Sequence, residues 1–119
     1  MKKILIVEDE QIIAQDIKML LDMEGYEVIS VHDRGEEALK QIKQERPDLV
    51  LVDIDLPGRM NGIELSKEIG LKMGIPVIFV TAFSEAKTVK KAMETKPAAY
   101  IMKPIFDEDL LIEIRKALK

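Results

Sequence analysis

Four short apolar runs in this sequence end in residues that can do chemistry. Ile4-Leu5-Ile6-Val7 is followed by Glu8-Asp9-Glu10, and Leu49-Val50-Leu51-Val52 by Asp53, with Asp55 two residues on. Val77-Ile78-Phe79-Val80 leads into Thr81-Ala82, and Ala99-Tyr100-Ile101-Met102 into Lys103-Pro104. If these ends are neighbours in space, Glu8, Asp9 and Asp53 share one small pocket. Two unit charges about 4 Å apart repel by roughly 4 kcal/mol at an effective dielectric of about 20. Such a cluster needs a divalent cation, a raised carboxyl pKa or a nearby ammonium. The chain has no Cys and a single His, His32, which reads as a solvated loop residue. Hard oxygen ligands alone select magnesium, manganese or calcium over zinc. Lys103 would add one fixed positive charge and Thr81 a hydroxyl donor. Metal, ammonium, hydroxyl and backbone amides together describe a site for a phosphoryl group.

Taken singly, each of these residues has an ordinary reading. An acidic run favours a helix N-terminus, and an Asp after a strand favours a turn. A strand-end Thr and a solvated Lys are commonplace. Their joint occurrence at four strand ends is what argues for a site.

The elements that must position them follow from the same pattern. Strands are expected at Lys3–Val7, Glu27–Val31, Leu49–Asp53, Val77–Thr81 and Ala99–Met102. The first, third and fourth are built on runs that are apolar throughout, as suits central strands of a parallel sheet covered on both faces. Glu27–Val31 partly alternates and reads as an edge, with Tyr26 packed beside it. Helical stripes lie between: Ile13, Ile17, Leu20 and Leu21; Ala38, Leu39 and Ile42; Leu65 and Ile69; Ala86, Val89 and Met93; Leu110, Ile114 and Leu118. Asp33 with Glu36 reads as a variant capping box, and Ser84 and Asp107 as N-caps. Gly25 suits the end of the first helix, and Arg46-Pro47-Asp48 a stop before the third strand. Strand–helix alternation with short connections implies right-handed crossovers and a doubly wound α/β sheet, whose ligands bind beyond the carboxyl ends of the strands.

Composition narrows the function classes. The 119 residues suit one compact domain, 1–119, with no linker or low-complexity stretch inside it. At 47% hydrophobic and 34% charged, the chain is typical of a folded globular protein. Without Cys, thiol catalysis and disulfides are excluded. No apolar run is long enough for a membrane span or a signal peptide, so the expectation is a cytoplasmic protein with no membrane partner. A net charge of −4 argues against direct nucleic-acid binding by this domain.

Glu8-Asp9, Asp53, Thr81-Ala82, Tyr100 and Lys103-Pro104 resemble, in order and spacing, the signature of response-regulator receiver domains across the whole chain. The resemblance implies a flavodoxin-like (βα)5 fold with parallel strands in order 2-1-3-4-5. It implies that Asp53 takes a phosphoryl group from the His of a sensor histidine kinase, with Mg2+ (or Mn2+) held by Asp9, Asp53 and the Asp55 carbonyl, and Glu8 helping through water. Lys103 and the Ala82 backbone would contact the phosphoryl oxygens. Thr81 and Tyr100 would form the switch, and Lys103-Pro104 a cis peptide. The family's usual partner face is the fourth helix, fifth strand and fifth helix. Here Lys87, Lys90, Lys91 and Lys96 give the fourth helix a basic character, although a merely solvated face is the plainer reading. The signal would pass to an output domain, a downstream protein or a second receiver, with no catalysis beyond the chain's own phosphorylation and dephosphorylation.

One stretch departs from the family pattern. From Asp53 to the helix-opening Gly62 there is one residue more than usual, near Gly58-Arg59, which should enlarge that loop. Asp55 places an acid where the family varies, beside the path of an attacking water. Two competing readings remain at this level. Leu51-Val52-Asp53-Ile54-Asp55 also resembles the nucleophile motif of haloacid-dehalogenase phosphohydrolases, with Lys103 and Asp107 or Asp109 as later partners. That reading leaves Glu8 and Asp9 without a role. The other is a binding module that uses the same fold without phosphorylation, but such members usually lack the acceptor or the Lys.

Overall fold

The structure, a computed structural model, describes residues 1–119. Five strands, β1 (Lys3–Val7), β2 (Glu27–His32), β3 (Leu49–Val52), β4 (Val77–Thr81) and β5 (Ala99–Met102), alternate with helices α1 (Gln11–Met23), α2 (Gly35–Gln44), α3 (Gly62–Ser66), α4 (Ala86–Met93) and α5 (Asp107–Ala117). All neighbouring strands are parallel, in the order β2-β1-β3-β4-β5. This is the doubly wound five-stranded arrangement expected.

Strand periodicity divides the core into two layers. Leu5, Val7, Val50, Val52, Val77 and Phe79 point to one face, where Ala38, Ile42, Ile63, Leu65, Ile69 and Ala92 cover them. Ile4, Ile6, Leu49, Leu51, Ile78 and Val80 point to the other, under Ala14, Ile17, Leu21, Leu110 and Ile114. A strand covered on both sides has no polar position to offer, which is why these three runs are apolar throughout. β2 is one edge strand, with its side chains half-buried or exposed, and β5 is the other.

Helix ends differ from expectation by single residues. The N-cap positions are Arg34, Glu85 and Phe106, not Asp33, Ser84 and Asp107, and none of the three makes a side-chain cap. Acids in the first turns of α2 and α5 (Glu36 and Glu37; Asp107, Glu108 and Asp109) favour those N-termini through the helix dipole instead. The reciprocal capping box is at α3, where Asn61 accepts from the Glu64 amide at 2.9 Å and the Glu64 carboxylate accepts from the Asn61 amide at 3.0 Å. α3 runs on into a π-helical segment, Lys67–Lys72.

Three further expectations are corrected. His32 is the last residue of β2, half-buried, with Nε2 3.0 Å from the Ser30 hydroxyl, because the edge strand runs one residue further than its apolar pattern. Lys96 lies beyond α4 with φ 55°, so the basic helix carries Lys87, Lys90 and Lys91 only. α4 rests on the sheet through Ala92, which leaves Ala86 and Met93 exposed; one step of about 100° carries Met93 off the packed face. Gly25 does end α1, with φ 86°. No helix is long and apolar enough to cross a membrane.

Candidate functional site

The carboxyl ends of β1, β3, β4 and β5 meet at one edge of the sheet. Asp53 follows β3 directly, and its amide still donates to Val7 O at 2.9 Å, so the sheet register holds its backbone. Its carboxylate is 4% exposed. Oδ1 accepts from the Asp55 amide at 3.1 Å, and Oδ2 accepts from Lys103 Nζ at 2.9 Å. Glu8 follows β1 and is held in the same way, its amide donating to His32 O at 2.9 Å and its Oε2 accepting from the Glu10 amide at 3.1 Å.

Lys103 is the centre of the cluster. Its amide donates to Thr81 O at 2.9 Å, and the Lys103-Pro104 peptide is cis. Its ammonium lies 2.8 Å from Glu8 Oε1, 2.9 Å from Glu10 Oε1 and 2.9 Å from Asp53 Oδ2. Burial pushes the Glu8 carboxyl up to about 7, with the Asp53 charge adding to the rise and Lys103 and the Glu10 amide opposing it. Burial also works against the charge on Lys103, yet the bonds to Glu8, Asp53 and Glu10 outweigh it and raise its pKa. The ammonium is therefore permanent, and it is the charge that lets three acids converge.

Asp9, Glu10, Asp53, Asp55, Thr81, Ala82, Phe83 and Lys103 line one open cleft. Thr81 is buried, and its hydroxyl accepts from the Phe83 amide at 3.4 Å. The Tyr100 hydroxyl donates to the carbonyl of the same Phe83 at 2.7 Å, and its ring lies 5.9 Å from that of Phe79. Burial, and secondarily the Asp53 charge, raises the Tyr100 pKa and keeps the phenol a donor. The two expected switch residues are thus joined through one loop residue.

The loop after Asp53 is fixed from below. Gly62 donates to Ile54 O at 3.0 Å, and a Cβ at this position would run into the Asp53 carbonyl and Ile54 Cα. Gly58 has φ 92°, a conformation that glycine adopts without steric penalty. The Arg59 amide donates to Glu36 Oε2 at 2.9 Å, which fastens this loop to α2.

The donor set suits a hard divalent cation. Carboxylate oxygens of Glu8, Glu10 and Asp53 lie within 4.8 Å of one another, with no His or Cys among them. Asp9 is exposed at the cleft, and Asp55 lines it too, but their carboxylates are outside that convergent trio. Glu10 is the site residue that sequence reasoning missed. The acidic run named it, but only the folded chain shows its partner.

Fold and site together define a doubly wound α/β domain with acid, ammonium and hydroxyl gathered at one sheet edge. The sequence profile of the response regulator receiver domain matches residues 4–115, and the chain belongs to that family. It is 36% identical over 117 residues to the transcriptional regulatory protein PdtaR of Mycobacterium tuberculosis, covering 98% of this chain and 57% of that protein. To the DNA-binding response regulator MtrA of the same species it is 34% identical over 118 residues, 99% of this chain and 51% of that one. The chain therefore spans a little over half the length of these relatives. A CheY-like receiver domain protein from Methanospirillum hungatei superposes with a TM-score of 0.90 at 37% identity, covering 99% of this chain and 94% of that one. The BeF3-activated receiver domain of Klebsiella pneumoniae RstA gives 0.90 at 30% identity, with 99% of each chain covered. Phosphorylation on Asp is the general function of this family. In the phosphohydrolase alternative Glu8 had no role, whereas here it is one of the three partners of the Lys103 ammonium.

Proposed function

We propose that Asp53 is the phosphoacceptor of this receiver domain and that the phosphoryl donor is a sensor histidine kinase. The observation that carries this reading is the Asp53 carboxylate, buried at the carboxyl end of β3, with one oxygen on the Lys103 ammonium and the other facing the Asp55 amide. An Asp53 oxygen forms the new bond to phosphorus while the bond from phosphorus to the donor nitrogen breaks. The electron pair stays with that nitrogen, which takes up a proton. Lys103, the Thr81 hydroxyl and the Ala82 amide would hold the phosphoryl oxygens, where negative charge concentrates in the transition state.

Asp9, Asp53 and the Asp55 carbonyl would hold Mg2+, with Glu8 helping through water, and Mn2+ could substitute. When bound, the ion supplies charge neutralisation between the carboxylates and the phosphoryl group. The chain catalyses nothing beyond its own phosphorylation and dephosphorylation. Its signal would pass over the face of α4, β5 and α5 to an output domain, a downstream protein or a second receiver. The acidic net charge of −4 supports no direct nucleic-acid contact by this domain.

Incubation with magnesium and a small phosphodonor should add about 80 Da, the mass of one phosphoryl group. Asp53→Asn, which is nearly isosteric, should fold as the wild type and gain no mass. Modification of the Asn variant at the wild-type rate would mean that another residue is the acceptor.

A further inference from the structure

An ammonium has three N–H donors and no acceptor. On Lys103 two are hydrogen-bonded, to Glu10 and to Asp53 at 2.9 Å each, and Glu8 Oε1 closes the third side as an ion-pair partner at 2.8 Å. The three partners are not equivalent. The Glu8 and Asp53 side chains are 3% and 4% exposed, the Glu10 side chain 57%. Glu10 also occupies the N-cap position of α1, yet it makes no side-chain cap to that helix. Its carboxylate reaches instead to a lysine 93 residues away in sequence.

We infer that Glu10 is a positioning residue for phosphoryl transfer, an anionic placeholder on the Lys103 donor that an incoming phosphoryl oxygen must take. This rests on the reading of Asp53 as phosphoacceptor. A phosphoryl group brings about −1.5 to −2 charge units and strong acceptor oxygens to the cleft. Three carboxylate oxygens already crowd the Lys103 ammonium within 2.9 Å, so a phosphoryl oxygen reaches it most readily when one of them lets go. Asp53 is the reacting group, and the Glu8 side chain, 3% exposed, is packed where it has no path into water. Glu10 alone can move into water at small cost. In the empty site it keeps the ammonium aimed and compensated; in the filled site it competes with the phosphoryl group. It exchanges no proton and forms no covalent bond.

The test compares wild type, Glu10→Gln and Glu10→Asp for phosphorylation by acetyl phosphate at saturating magnesium, with the Gln change repeated in a Lys103→Ala background. Glu10→Gln should raise the second-order rate constant about two- to fivefold, the range of an exposed ion pair, chiefly through a lower half-saturating phosphodonor concentration. Glu10→Asp keeps the charge but loses a methylene of reach, so it should behave like Glu10→Gln. In the Lys103→Ala background the acceleration should vanish, since the coupling runs through that ammonium. A Glu10→Gln rate equal to or below wild type overturns the inference, as do a Glu10→Asp protein indistinguishable from wild type and an acceleration that persists without Lys103. Those results leave phosphorylation of Asp53 standing. Wild-type protein that takes up no phosphoryl group overturns the phosphoacceptor reading, and this inference with it.

Discussion

A buried carboxylate next to two others survives in this chain only because Lys103 answers all three. Glu8 shows what remains unanswered: its carboxyl is raised to about 7, with burial as the largest cause. In the unfolded chain a Glu titrates near 4.3. Between those values the folded protein holds a proton that the unfolded chain has lost. The Glu8 contribution to stability is therefore fully present below about pH 4 and is lost as pH rises through 7. In magnesium-free buffer the melting temperature of the wild type should fall between pH 5 and pH 8 more steeply than that of Glu8→Gln, which has no such proton to lose. Parallel slopes for the two proteins would show that Glu8 does not titrate in this range.

The elements matter through how closely they approach. α3 begins against the backbone that follows Asp53, and Gly62 is the residue that permits it. A Cβ there would meet the Asp53 carbonyl carbon at 2.8 Å and Ile54 Cα at 2.7 Å, and neither is the free end of a flexible side chain. Gly62→Ala should cost about 1–3 kcal/mol, the usual range for forced overpacking, and should slow phosphorylation by displacing the acceptor. Urea unfolding and the phosphorylation rate would report the two effects separately. Stability within a few tenths of a kcal/mol of wild type would mean that the loop has room to shift. The loop from Asp53 to Gly62 is secured at its far side by another helix, through the Glu36 carboxylate on the Arg59 amide. That bond also holds the Glu36 pKa below the usual carboxylate range.

At the scale of the whole molecule, the cleft is linked to the α4–β5–α5 face through Phe83. Its amide donates to Thr81 Oγ1 at 3.4 Å, a long bond, while its carbonyl accepts a short one from Tyr100 at 2.7 Å. Turning the Thr81 hydroxyl toward a phosphoryl oxygen would release the weaker of the two and free the loop to move relative to Tyr100. Only a contact that differs between the two states can shift their populations, and the Thr81 bond is such a contact. Thr81→Ala should accept a phosphoryl group on Asp53 yet fail to pass the change on. Amide chemical shifts of Tyr100 and α4, measured with and without beryllofluoride, should move in the wild type and stay largely fixed in the variant. Wild-type-like shifts in Thr81→Ala would end this coupling scheme without touching the acceptor assignment.

What the residues alone determined was whatever depends on local pattern. The all-apolar runs at Ile4–Val7, Leu49–Val52 and Val77–Val80 announced central parallel strands, because burial on both faces excludes polar side chains. Parallel strands deliver their carboxyl ends to one edge, so pattern alone places Glu8, Asp53, Thr81 and Lys103 together. Tertiary structure decided what depends on distance and rotamer. Asp33, Ser84 and Asp107 each fell one residue from an N-cap, because cap geometry turns on the dihedrals of a single residue. Met93 fell outside the packed face because Ala92 is the α4 residue that enters the core, and the next residue lies about 100° round the helix. Glu10 reached Lys103, and Glu36 reached Arg59, across 93 and 23 residues of chain. Periodicity reports which side of an element is buried; which charged group meets which is settled only when sheet register and loop length bring their ends within hydrogen-bond distance.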